Sequence, residues 1–152
     1  MKTILIATDG SDSAREAVEF GLDLAAEQHA RAVVAHVAPE VDVVPSGGFG
    51  MTGAAQHELT DYDWSPLEEA SALADERGIA AHTKMLRGET VDELVAYADT
   101  IDADLIVVGS RGHGAIASAV IGSVSRGVLH EARRPVLVVR GTHVHAPVEA
   151  VS

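Results

Sequence analysis

The sequence predicts an α/β fold: one doubly wound domain in which a five-stranded parallel sheet carries helices on both faces. Three observations predict it. Short apolar runs alternate with longer stretches whose apolar residues recur at helical spacing. The runs are continuously apolar rather than alternating, as suits strands covered on both faces. The length, 152 residues, suits a single core that buries about two-thirds of the unfolded surface.

The elements follow in order. Ile4-Leu5-Ile6-Ala7 is a buried strand that runs into the turn Thr8-Asp9-Gly10-Ser11. Ala14, Ala17, Val18, Gly21, Leu22 and Ala25 then mark the inner face of a helix. Its cap is Ser11 or Ser13, and Ser13 with Glu16 fits a capping box. Ala32 to Ala38 is the second strand. Ser65-Pro66-Leu67-Glu68 has the form of a helix start, with proline at the first helical position, and that helix ends at Gly78. Ile79 to Leu86 is a more polar strand, as expected at a sheet edge. Thr90 with Glu93 opens a helix bearing Val91, Leu94, Val95 and Ala98. Asp104 to Val108 is the fourth strand, entering Gly109, and Ser123 to about Arg133 is the last helix. Pro135 to Arg140 closes the sheet. In such sheets ligands bind at the carboxyl ends of the strands, where the strand order reverses.

Two segments break the alternation. Residues 40–64 contain Gly47, Gly48, Gly50 and Gly53 with little periodicity, and are expected to form a long mobile loop with Tyr62 and Trp64 packing it down. Residues 141–152 are expected to be a disordered tail.

Composition excludes several function classes. There is no cysteine, which removes disulfides, thiolate metal sites and thiol catalysis. Eleven Lys and Arg face 23 Asp and Glu, a net charge of −12, so a basic nucleic-acid-binding face is not expected. Lys2 and Lys84 are the lysines, and aromatics make up 3%. An acidic, lysine-poor surface fits a halophilic protein whose self-repulsion salt screens, or an ordinary acidic one. No apolar run reaches the ~18 residues of a membrane span, and the N-terminus lacks the pattern of a signal peptide, so the expected location is cytoplasmic.

The chemistry is expected in one glycine-rich segment. Val107-Val108-Gly109-Ser110-Arg111-Gly112-His113-Gly114-Ala115 follows the fourth strand, and Gly122-Ser123-Val124-Ser125 opens the next helix. Glycines let backbone N–H groups approach an anion, and a helix start adds partial positive charge, so this is a candidate phosphate cradle; a tight turn is the alternative. Ser123 and Ser125 carry hydroxyls that can donate to phosphate. Neither a P-loop lysine nor a G-x-G-x-x-G after the first strand is present.

Gly109-x-x-Gly112, nine further residues and Gly122-Ser123 resemble the G-x-x-G-x9-G-[ST] nucleotide motif of the universal stress protein family. The resemblance runs from Lys2 to Arg140 and includes Ile6-Ala7-Thr8-Asp9-Gly10-Ser11, His36-Val37, Gly88 and Pro135 to Val139. It implies a nucleotide-binding domain over residues 1–140, with strand order 3-2-1-4-5. In the ATP-binding branch it places Ala7, Thr8 and Asp9 on the adenine and ribose side, with a backbone group of Val37 reading the adenine edge. Val108 and Gly109 stand beside the ribose. Gly112, His113, Gly114 and Ala115 wrap the phosphates, together with Gly122, Ser123, Val124 and Ser125. Ala7 departs from the proline that this branch often carries. No lysine serves the cradle, so cationic help falls to Arg111, Arg126, His113 or a Mg²⁺ held by the phosphates. The resemblance also implies a homodimer through the edge strand Val136-Leu137-Val138-Val139.

The expected function is a stress-response regulator that binds ATP and acts as a loaded dimer with slow or no hydrolysis. The cradle lacks the placed cation and water-orienting group of a fast ATPase, and no catalytic residue is assigned. The alternatives are a nucleotide-free dimeric interaction module and an ATP-pyrophosphatase-type enzyme using Thr8 to Ser13. In the latter, Asp9 would set a carboxylate against pyrophosphate. A phosphorelay receiver lacks its acidic pocket, since Lys84-Met85-Leu86-Arg87 occupies that place.

Overall fold

The computed structural model describes residues 1–111 and 121–141. Its elements are β1 (Thr3–Ala7), α1 (Asp12–Glu27), β2 (Arg31–Ala38), β3 (Val41–Pro45), β4 (Thr52–Gln56), α2 (Asp61–Glu76), β5 (Ala81–Arg87), α3 (Thr90–Thr100), β6 (Leu105–Gly109), α4 (Ser123–Glu131) and β7 (Val136–Val139). Five strands form one sheet in the order β5-β2-β1-β6-β7, every pairing parallel. Counted along the sheet strands alone, this is the expected order 3-2-1-4-5.

Period-two alternation along the central strands divides the core between the two faces. Ile4, Ile6, Val34 and Val107 pack with Ala17, Val18 and Leu22 of α1 and with Leu67, Ala70 and Leu73 of α2. Leu5, Val33, Ala35, Ile106 and Val108 pack on the opposite face with Leu94 and Ala98 of α3 and Val128 of α4. Both faces need apolar residues, which is why the runs lack polar alternation. The edge strand β5 leaves His82, Thr83 and Lys84 exposed. At the other edge, Val136, Leu137, Val138 and Val139 are half-buried.

The segment 40–64, expected as a loop, is mostly regular structure. β3 and β4 pair antiparallel from Val41↔Gln56 to Pro45↔Thr52, apart from the main sheet. The pattern is illegible in sequence because this hairpin buries little: Val43 and Phe49 are exposed. Without a core to face, its side chains follow no hydrophobic period. α2 begins at Asp61, ahead of the expected Ser65-Pro66 start. The carboxylate of Asp63 accepts from the Thr60 N–H at 2.9 Å, so aspartate supplies the reach-back that the sequence pattern reserves for Glu or Gln. Pro66 lies inside the helix, where it cannot donate to the Tyr62 carbonyl; Tyr62 is 78% exposed, so water can satisfy that group. Tyr62 and Trp64 (41% exposed) therefore do not pack the segment down.

Other helix starts differ by a residue or two. Ser11, not Ser13, caps α1, its hydroxyl accepting from Ala14 N–H at 3.2 Å. Glu89, not Thr90, caps α3, its carboxylate accepting from Asp92 N–H at 2.8 Å. Residues 142–152, most of the expected tail, lie outside the described residues.

Candidate functional site

β1 leads by way of α1 to β2 on one side, whereas β6 lies on the other side of β1. The order therefore reverses between β1 and β6, and their carboxyl ends separate to leave a crevice. Ala7 ends β1. Beyond it Thr8 N–H still bonds to Ala35 O at 2.9 Å, and then the chain turns away. Gly10, at φ +81°, makes that turn in a conformation that disfavours any side chain. Asp9 accepts from Ser11 N–H at 2.9 Å, which sets its carboxylate at the mouth of the crevice.

On the β6 side, Gly109 meets the first turn of α1. A Cβ there would lie 2.8 Å from both the carbonyl oxygen and the Oγ of Ser13, so only glycine admits this approach. Ser13 Oγ also accepts from Arg111 N–H at 3.1 Å, which explains why this serine does not cap its own helix. Ser110 N–H bonds to Val139 O at 3.0 Å, and Gly122 N–H to Ser110 O at 2.6 Å. These bonds bring the start of α4 back to the end of β6.

Gly122 caps α4 with extended backbone and no side-chain hydrogen bond. The first N–H groups of a helix have no partner within it, so those of Ser123, Val124 and Ser125 form a positively polarised end suited to an anion. Ser123 is exposed, whereas Ser125 is 3% exposed. The Ser125 hydroxyl donates to Gly109 O at 2.5 Å. That proton is committed to the fold. Ser125, expected to donate its hydroxyl to phosphate, has that hydroxyl held by Gly109 here, and Ser123 carries the exposed hydroxyl. Arg126 is exposed on the helix.

One cleft is lined by Ala7, Thr8, Asp9, Val37, Val108, Gly109, Arg111, Gly122, Ser123, Val124 and Ser125. Every expected site residue that is described lies on it. Gly112, His113, Gly114 and Ala115 lie outside the described residues. The sequence reading missed Ala14, Ala35, His36, Thr90 and Leu94, which also line the cleft. Ala14, Ala35 and Leu94 are core positions whose periodicity carried no sign of a site. His36 carried a signal, being a histidine at the end of an apolar strand. Its Nδ1 lies 2.8 Å from Thr8 O, and because a carbonyl only accepts, Nδ1 bears the proton. Among the described residues no group of three or more acidic or histidine side chains could hold a metal ion.

The cleft thus has a carboxylate on one side and a helix end without a side-chain cap bond on the other, at the reversal of a parallel sheet. The sequence profile of the Universal stress protein family matches residues 1–140. The chain belongs to the universal stress protein family. A relative from Methanocaldococcus jannaschii, a universal stress protein, is 35% identical over 142 residues, covering 91% of this chain and 82% of its own. The chain is also similar to the solved structure of a universal stress protein in complex with cAMP (31% identity, TM-score 0.68, 91% of this chain and 96% of that one). A family member from Archaeoglobus fulgidus, solved in complex with dAMP, is 26% identical with a TM-score of 0.60 over 91% of this chain and 96% of its own. Among the described residues no helix is long and apolar enough to cross a membrane.

Proposed function

We propose that this chain binds ATP in the cleft between β1, β6 and the start of α4, and acts as a nucleotide-loaded homodimer in a cytoplasmic stress response. The observation that carries the reading is the N-terminus of α4, which has no side-chain cap bond, on the same cleft as Asp9. A phosphate satisfies those N–H groups and their partial positive charge, and a ribose hydroxyl has an acceptor in the carboxylate. The cAMP and dAMP complexes of family members support an adenine nucleotide as the ligand class. The adenine lies toward Val37, and Ser123 donates its hydroxyl to a phosphate oxygen. Gly112, His113, Gly114 and Ala115 complete the phosphate cradle, with Arg111 at its entrance.

The described donors suit a Mg²⁺ carried by the phosphates rather than one caged by protein side chains. Such an ion would offset phosphate charge in a protein of net charge −12. Turnover is slow or absent: among the described residues the cleft supplies binding groups and no assigned base for water. Two copies join through β7, whose half-buried Val136 to Val139 present an edge for strand pairing.

The test is the nucleotide content of freshly purified protein, released by denaturation and separated by ion exchange. Gly122→Val with Ser123→Ala is run beside it. Stoichiometric adenine nucleotide lost in the variant supports the reading. Protein that carries none, and retains none after soaking in Mg–ATP at high salt, refutes it and leaves the dimeric interaction module. Sedimentation of the wild type and of Val138→Arg tests the dimer; a wild-type monomer refutes that part.

A further inference from the structure

The hairpin β3–β4 leaves the sheet just after Val37, at the cleft end, and returns to the start of α2. A lone two-stranded hairpin is marginal in water, so something must hold it. Two fasteners do. At its base, Arg87 at the end of β5 donates from Nε to Pro39 O at 3.3 Å and from its terminal nitrogen to His57 O, gripping both legs.

The second fastener is the His57 ring. Its Nδ1 lies 2.7 and 2.8 Å from the two carboxylate oxygens of Asp42 on β3. Its Nε2 lies 2.9 Å from Oδ2 of Asp63 on α2. Asp63 is only 6% exposed and also accepts from the N–H and hydroxyl of Thr60. Ionised carboxylates only accept, so both ring nitrogens must donate, and only the imidazolium has two N–H groups. A neutral ring would set a lone pair against one carboxylate. The charged groups facing His57 are thus Asp42 from β3, Asp63 from α2, and Arg87 from β5 at its backbone.

We propose that His57 is a proton-operated latch: as an imidazolium it ties the hairpin to α2, and loss of its proton lets the hairpin open beyond the Arg87 grip. The hydrogen bonds to Asp63 and then Asp42 raise the His57 pKa above 6.5, against the opposing effect of burial. Burial pushes the Asp63 carboxyl up, but bonds from Thr60 N–H, His57 and the Thr60 hydroxyl outweigh it and hold the group below 3.8. The latch is therefore at full strength between 3.8 and 6.5. It weakens as pH rises from there, and is gone once pH passes the raised value. Over that window the opening constant climbs by up to about tenfold per pH unit, the linkage of one proton. At the acid end the latch fails again as pH falls below 3.8 through the depressed value of Asp63.

The test needs no nucleotide, so it stands or falls apart from the proposed function. NMR follows the His57 ring nitrogens through pH, while hydrogen exchange follows the hairpin amides, corrected for intrinsic base catalysis. Wild type, His57→Gln and Asp42→Asn are compared. In the wild type, His57 titrates above the free-histidine value and hairpin protection falls over the same pH range. Asp42→Asn moves both midpoints down together, and His57→Gln leaves the hairpin unprotected at both about pH 6 and about pH 9. A His57 that titrates at or below the free value overturns the proposal. So does hairpin protection that ignores its titration, or a pH-dependent opening that survives in His57→Gln.

Discussion

Replacing Ser125 by alanine separates the structural from the ligand-binding hydroxyls at the start of α4. In the wild type, the buried Ser125 Oγ donates to Gly109 O at 2.5 Å, tying the first turn of α4 to the end of β6. A hydrogen bond contributes about 0.5–1.5 kcal/mol net, and a buried partner left unsatisfied costs about 1–3 kcal/mol. Because the Gly109 carbonyl keeps a second lone pair and stands beside an open cleft, we take about 1–2 kcal/mol for Ser125→Ala. For a domain of this size each kcal/mol lowers Tm by about 2–4 °C, so the expected fall is about 2–8 °C. Ser123→Ala is the control. Its side chain is exposed, so its stability should stay within about 0.5 kcal/mol of wild type. Its nucleotide affinity should drop. Thermal and urea melts followed by circular dichroism give the stabilities, and calorimetric titration gives the affinities. Ser125→Ala with unchanged Tm and an affinity loss matching that of Ser123→Ala would refute the reasoning, because its hydroxyl would then be spent on the ligand.

Gly109→Ala should destabilise by about 1–3 kcal/mol, an overpacking cost, since its Cβ would press on the backbone of Ser13; a urea melt with an unchanged midpoint would contradict the close approach. Asp9→Ala should weaken nucleotide binding by about tenfold to a hundredfold, the value of a hydrogen bond to a charged acceptor, measured by calorimetric titration. It should also lower Tm slightly by freeing the Ser11 N–H. Asp104 is held below 3.8 by the N–H groups of Thr3 and Lys2, so its contribution is present above that value and lost as pH falls through the depressed one. Asp104→Asn should therefore show a flatter loss of stability on acidification than the wild type, read from urea midpoints across that range.

Much of this protein is legible along the chain because its strongest constraints are local and periodic. A strand covered on both faces must be continuously apolar, and Ile4 to Ile6 and Leu105 to Val108 satisfy that. Glycines between a strand and a helix start let the backbone turn closely, so the cleft could be placed from Gly109 and Gly122 with Asp9. The hairpin could not, because Val43 and Phe49 face solvent and leave no period. Nor could the true start of α2, because its reach-back carboxylate is Asp63 and is held in part by His57.

The sequence by itself determined the sheet, its turns and the residues gathered at its reversal, since burial and backbone freedom act residue by residue. Only the tertiary structure decided how individual polar groups are spent. Ser125 donates a hydrogen bond to Gly109 O, Ser13 accepts from Arg111, and His57 stands between Asp42 and Asp63. A hydrogen bond depends on distance and direction between groups far apart in the chain, and folding alone brings them within reach.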